Sequence, residues 1–96
     1  MAQTTLDILN IIIRIMPRGD EVEVELSPYS TGKEIINELV GAGVAPRNDQ
    51  EGVAYVYELI SKRSSQRIGD EKSLFDAGIK DGEILYLAPK LVAGNR

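Results

Sequence analysis

Two adjacent segments with the two-residue period of β-strands constrain the fold of this chain more than any other feature. Residues 8–16 consist largely of isoleucine, and alternation gives them one apolar face and one mixed face. Residues 17–20 have the sequence Pro-Arg-Gly-Asp, which is typical of a turn. Residues 21–26 then alternate three glutamates with Val, Val and Leu, the pattern of a half-buried strand. The sequence therefore predicts an N-terminal β-hairpin.

A short helix is predicted after the hairpin. Thr31 and Glu34 have the spacing of a capping box, in which each side chain accepts a hydrogen bond from the other residue's backbone N–H. Apolar residues continue with helical spacing to about Val40. Gly41 and Gly43 then supply the residue type that commonly ends a helix.

Three further strands and a turn follow the helix. Residues 53–60 have the β-branched and aromatic content of a third strand, but both alternating sets contain apolar groups, so the inward face stays open. Residues 66–68 predict a short fourth strand, and residues 73–79 a brief helical turn. Residues 83–88 predict a fifth strand. Beyond it, residues 89–96 carry no strand or helix signal and are interpreted as a tail.

The composition excludes several classes of function. The chain of 96 residues has no Cys and no His, so disulfides, thiolate nucleophiles and histidine-based acid–base catalysis are absent, and no enzyme is predicted. The net charge of −4 argues against nucleic acid and against anionic membranes as partners. The longest apolar run, residues 11–13, is far shorter than a membrane span, and residues 1–5 show no secretory signal. We expect a cytoplasmic protein without cofactor or metal.

The order hairpin, helix, strand, short strand, turn, strand resembles the ubiquitin-like β-grasp, an α+β fold. Residues 21–31 are similar to the second strand of ubiquitin and the start of its helix, and residues 66–79 to its fourth strand and helical turn. Leu85 and Leu87 fall where ubiquitin has buried leucines in its last strand. Residues 57–88 resemble bacterial ubiquitin-like proteins, which include modifiers and accessory proteins of type VII secretion.

The resemblance implies a division of the chain and a mixed sheet of four to five strands packed on one helix. Residues 1–8 are interpreted as an N-terminal extension, and residues 9–88 as the β-grasp domain. Residues 89–96 are interpreted as a flexible C-terminal tail.

The resemblance also assigns a role to the tail. Residues 90–94, Lys-Leu-Val-Ala-Gly, align with the end of ubiquitin, so Ala93 and Gly94 form the predicted conjugation tail. The chain continues to Asn95 and Arg96, and a processing protease would remove these two residues to expose the Gly94 carboxylate. Partner activating and conjugating enzymes would then adenylate that carboxylate and transfer it to target proteins.

A second predicted site is a docking surface. Ile12, Ile84 and Tyr86 are outward-facing apolar groups of two strands that pair in this fold. Alternatively, these groups are ordinary scattered surface residues, or the segment 6–9 covers them. The predicted partner-binding set is Ile12, Ile84, Tyr86, Ala88, Lys90 and Leu91.

The main sequence-based interpretation is therefore a bacterial ubiquitin-like modifier trimmed to Gly94. The first alternative is a non-covalent adaptor, like the secretion-associated relatives, which docks through its sheet face. The second is a sulfur carrier, in which the Gly94 carboxylate becomes a thiocarboxylate.

Overall fold

The computed structural model describes residues 8–48 and 51–90, and it confirms the α+β β-grasp architecture. Within these residues a five-stranded sheet has the order β2-β1-β5-β3-β4. The two central strands β1 and β5 run parallel, whereas the other neighbours are antiparallel. The elements are β1 Leu9–Ile15, β2 Asp20–Leu26, α1 Gly32–Gly41, β3 Tyr57–Ser61, β4 Arg67–Ile68 and β5 Ile84–Pro89.

The helix α1 lies against one face of the sheet, and the core fills the space between them. Ile35 and Leu39 of α1 are buried together with inward residues from every strand. In β2 only Leu26 is buried, and Val22 and Val24 are half-buried against the core. The predicted alternation of β1 is confirmed, since Ile11, Ile13 and Ile15 are buried while Ile12 and Arg14 between them are half-buried. The fully buried large side chains are Ile11, Ile13, Ile35, Leu59, Leu74, Leu85 and Leu87.

The start of α1 is fixed by its own cap and by a nearby loop. The predicted capping box is present: the Glu34 N–H donates to Thr31 Oγ1 at 3.3 Å, and the Thr31 N–H donates to Glu34 Oε1 at 3.0 Å. The Gly32 and Lys33 amides then donate to carbonyls of the 69–72 loop, at 3.1 and 3.0 Å. The helix start is therefore bonded to the segment that follows β4.

The third strand was predicted too early in the chain. It begins at Tyr57 and not at residue 53, because two of the residues before it bond to the preceding loop. Ala54 forms an isolated bridge with Asn48, and the Tyr55 amide donates to the Arg47 carbonyl at 3.0 Å. The open question about its inward face is also answered, since Tyr57, Leu59 and Ser61 are buried.

Smaller differences occur at other boundaries. The fourth strand begins at Arg67, and the fifth extends from Ile84 to Pro89. Residues 73–79 form consecutive turns, with the Ala77 amide donating to the Ser73 carbonyl at 3.0 Å. In the described part of the chain, no helix combines the length and the apolar character that a membrane crossing requires.

Candidate functional site: the outer sheet face

The outer sheet face, opposite α1, is built by the strand residues that alternate with the core. Pairing of β1 with β5 sets Ile12 beside Ile84 and Arg14 beside Tyr86. Pairing of β3 with β5 sets Ile60 beside Tyr86. These five side chains are half-buried, and the apolar ones belong neither to the core cluster nor to the residues packed against it. Three adjacent strands thus present one apolar centre.

Arg14 links this apolar centre to the edge strand β2. Its Nη2 lies 2.6 Å and its Nε 2.9 Å from Glu21 Oε2, and its guanidinium lies 5.6 Å from the centre of the Tyr86 ring. The hydrogen bond to Glu21 raises the pKa of Arg14 above its ordinary value, so this charge persists at any physiological pH. The cation over the ring holds Tyr86 in place on the face.

Charges of opposite sign flank the apolar centre. Strand β2 presents Glu21, Glu23 and Glu25, all exposed, at one edge of the sheet. On the other side, Arg67 of β4 lies beside Ile60, with its Nε 3.8 Å from a Glu58 carboxylate oxygen. An exposed arginine at that separation makes a weak ion pair. The face is therefore acidic at the β2 edge, whereas toward β4 the charge of Arg67 is balanced by that of Glu58.

The predicted docking residues are brought together in part. Ile12, Ile84, Tyr86 and Ala88 share the outer face, which agrees with their predicted placement on it. Lys90 follows β5, and its amide donates to the Val56 carbonyl at 2.6 Å. Leu91 lies outside the described residues, as do Ala93, Gly94, Asn95 and Arg96 of the predicted conjugation tail and trimming site. Those assignments stay predictions.

Sequence reasoning missed Ile60 and Arg14 as members of the face. Ile60 was not assigned because both alternating sets of the third strand contain apolar groups, which left its inward side ambiguous. Arg14 alternates with buried isoleucines, so its outward direction was predicted, but its contacts with Glu21 and Tyr86 depend on strand pairing.

A second apolar surface lies away from the outer face. Tyr29 and Phe75 are 65% and 66% exposed, and their ring centres are 6.1 Å apart. They line an open groove of about 440 Å³ together with Pro28 and Ile79. Tyr29 lies in the turn after β2, and Phe75 lies in the turns after β4. Because neither residue belongs to a strand or helix, no periodic pattern in the sequence predicts this surface.

Comparison with known proteins identifies relatives at the level of family and fold. The model of the family described as "WXG100 protein secretion system (Wss), protein YukD" matches residues 10–87. Among curated proteins none matches the chain.

Solved structures of ubiquitin-like proteins are similar across nearly the whole chain. Ubiquitin from Caldiarchaeum subterraneum is 19% identical with a TM-score of 0.65, covering 91% of this chain and 99% of its own. A de novo designed protein based on ubiquitin is 19% identical with a TM-score of 0.67, covering 93% and 96%. The C-terminal ubiquitin-like domain of human 2'-5'-oligoadenylate synthetase-like protein is 17% identical with a TM-score of 0.68, covering 99% and 98%. At these identities the structures establish the fold.

Proposed function

Because this chain belongs to the YukD family of the WXG100 protein secretion system, we propose that it is a non-covalent adaptor whose outer sheet face docks a protein component of such a system. This is the alternative that the sequence left open beside the modifier. The family match covers the β-grasp body, residues 10–87, and that body contains the outer face. The proposal therefore rests on the matched part of the chain.

The observation that carries the proposal is the grouping of apolar side chains on adjacent strands. Ile12, Ile60, Ile84 and Tyr86 come from three strands and meet at the centre of the sheet face. Aromatic and aliphatic groups at the centre of a face, surrounded by charged residues, are the usual composition of a protein–protein interface. Tyr86 adds a large ring with few rotatable bonds, which loses little conformational entropy on binding.

The adaptor is tested by complementing a strain of the organism that lacks this chain and measuring secretion of a WXG100 protein. We expect Ile84→Asp to abolish complementation, because the carboxylate would be desolvated in the interface. The matched control Phe75→Asp alters an apolar residue outside the outer face and should retain secretion. Full secretion with Ile84→Asp, at normal protein levels, would contradict the adaptor role.

The modifier and the sulfur carrier stay alternative proposals that depend on the tail. Both require the carboxylate of Gly94 after removal of Asn95 and Arg96, whereas the adaptor does not. Secretion that survives Gly94→Asp but not Ile84→Asp favours the adaptor. The opposite pattern, together with conjugates found by mass spectrometry from a chain ending at Gly94, favours the modifier.

A further inference from the structure

The outer sheet face is polarised across its strands, and the polarity follows from strand register. Glu23 of β2 pairs with Ile12 of β1, and Ile12 pairs with Ile84 of β5. Lys62 directly follows β3, and its amide donates to the Ile84 carbonyl at 3.1 Å. This bond extends the pairing of Ser61 with Leu85 by one residue into the turn, and because Ser61 is buried we assign the exposed Lys62 to the outer face. One row across the sheet, from β2 to the end of β3, therefore consists of an acidic residue, two apolar residues and a basic residue.

The neighbouring row carries its charges as ion pairs within the chain. Its residues across the five strands are Glu21, Arg14, Tyr86, Ile60 and Arg67. Arg14 is paired with Glu21, and Arg67 is paired with Glu58 of β3. The polarity of the face therefore comes from the row that contains Glu23 and Lys62.

Two of these charges have no ion partner within the described chain. The ion pairs among residues 8–48 and 51–90 use Arg14, Arg18, Arg63 and Arg67 as cations, and none includes Glu23 or Lys62. Both side chains are exposed. An acid and a base at the same level of one face are thus left for groups outside the described residues.

Such a pattern is complementary to itself under one symmetry operation. A two-fold axis that lies in the interface and runs parallel to the strands reverses the order across the strands but keeps the level along them. It sets Glu23 of one copy opposite Lys62 of the other, and Ile12 opposite Ile84, and each contact occurs twice. A two-fold axis perpendicular to the strands would instead set Glu23 over the acidic edge of the second copy.

We propose that the outer sheet face binds the same face of a second copy of this chain, in the orientation that sets Glu23 opposite Lys62. Ile12 and Ile84 of the two copies then cover each other, and the next row sets Tyr86 opposite Arg14 and Ile60 opposite Glu21. The inference does not depend on the role in secretion. If the adaptor role also holds, dimer formation competes with the secretion partner for one face, so the free face becomes available on dilution.

The size of the face predicts a weak dimer. Four gaps of ~4.8 Å between strands and seven residues of ~3.4 Å along a strand give roughly 450 Å² per copy. Twice that area is below the ~1,200 Å² at which stable interfaces begin. We therefore expect a dissociation constant for the dimer of about 10 μM to 1 mM. This constant should rise with salt, because salt screens the paired charges.

Sedimentation equilibrium of the purified full chain tests the inference, at roughly 20 mM and 500 mM salt. We expect a monomer–dimer equilibrium whose dissociation constant is severalfold larger at the higher salt. Glu23→Lys and Lys62→Glu should each weaken their homodimer by about tenfold or more, because like charges then meet twice. Mixing these two variants should restore the dimer, since both contacts become opposite in sign again.

Matched controls keep the test specific to this face. Glu38→Lys changes the net charge by the same amount on the exposed side of α1, and it should leave the equilibrium unchanged. Circular dichroism verifies that every variant is folded. Amide chemical shifts that depend on concentration should map to the outer faces of β1, β3 and β5.

Three results would overturn the inference. The first is a monomer up to about 1 mM at low salt. The second is a mixture of Glu23→Lys and Lys62→Glu in which the proteins dimerise no more tightly than either variant does by itself. The third is a set of concentration-dependent shifts around Tyr29 and Phe75 in place of the outer face.

Discussion

Substitution of Gly32 by alanine should destabilise the fold, although alanine is the better helix former. A β-carbon at Gly32 would lie 2.6 Å from the Gly69 carbonyl oxygen and 3.1 Å from the Ile68 carbonyl oxygen. Both atoms belong to the backbone, so no side chain can rotate away. The β-carbon and the Gly69 carbonyl oxygen must therefore move apart by roughly 0.9 Å to reach a normal contact of about 3.5 Å.

The magnitude follows from two opposing contributions. Overpacking of this kind costs about 1–3 kcal/mol of unfolding free energy, and the shift also strains the hydrogen bonds from the Gly32 and Lys33 amides to the 69–72 loop. The lower backbone entropy of alanine in the unfolded chain returns about 0.4–1 kcal/mol. We expect a net loss of about 1–2 kcal/mol, which corresponds to a fall in Tm of roughly 5–15 °C for a domain of this size.

Gly41 provides a matched control in the same helix. A β-carbon at Gly41 meets no atom within 4 Å, so Gly41→Ala should stabilise the protein by about 0.4–1 kcal/mol. Urea denaturation followed by circular dichroism measures both variants, with the m-value checking that the unfolding transition is unchanged. If Gly32→Ala is as stable as Gly41→Ala, the close approach of the two backbones is not as described and the reasoning fails.

Three further predictions concern the cap, a buried hydroxyl and the core. Thr31→Ala should lower the unfolding free energy by about 1 kcal/mol, and in a double-mutant cycle with Glu34→Ala the combined loss should be smaller than the sum. Burial raises the pKa of Tyr57 above its ordinary value, so the stability that Tyr57 contributes is complete below the unfolded pKa and is lost as pH rises through the folded pKa. Absorbance titration should show a late tyrosinate step, and Tyr57→Phe, which loses the 2.8 Å hydrogen bond to Pro46, should remove that step. Leu87→Ala empties a fully buried site and should cost about 2–5 kcal/mol by urea titration, whereas a loss under ~1 kcal/mol would contradict its burial.

Much of the fold could be predicted because its signals are local. The alternation of residues 21–26 and the capping box of Thr31 and Glu34 each depend on a few neighbours in sequence, and the structure confirms them. Prediction was wrong for the start of the third strand, because residues 53–56 have strand-like composition but Ala54 and Tyr55 bond to the loop before them. β-propensity describes fit to a pleated surface and does not identify which backbone supplies the partner.

The composition of the outer sheet face was predictable to a smaller extent. Ile12, Ile84 and Tyr86 were placed on one face from alternation and the resemblance to ubiquitin-like proteins, and strand pairing agrees. Ile60 joins them only because β3 lies beside β5 with Ile60 opposite Tyr86. That register depends on which face of β3 is buried, and both faces contain apolar residues.

By itself the sequence determined which segments become strands and helix, and which side of the hairpin is apolar, because these follow from side-chain period and capping within a few residues. Tertiary structure decided that Glu23, Ile12, Ile84 and Lys62 share one row, and that Gly32 lies against the Gly69 carbonyl. Those neighbours are far apart in the chain and are selected by backbone pairing and burial acting together. The polarity of the outer face is therefore a property of strand order, to which no single segment of the sequence points.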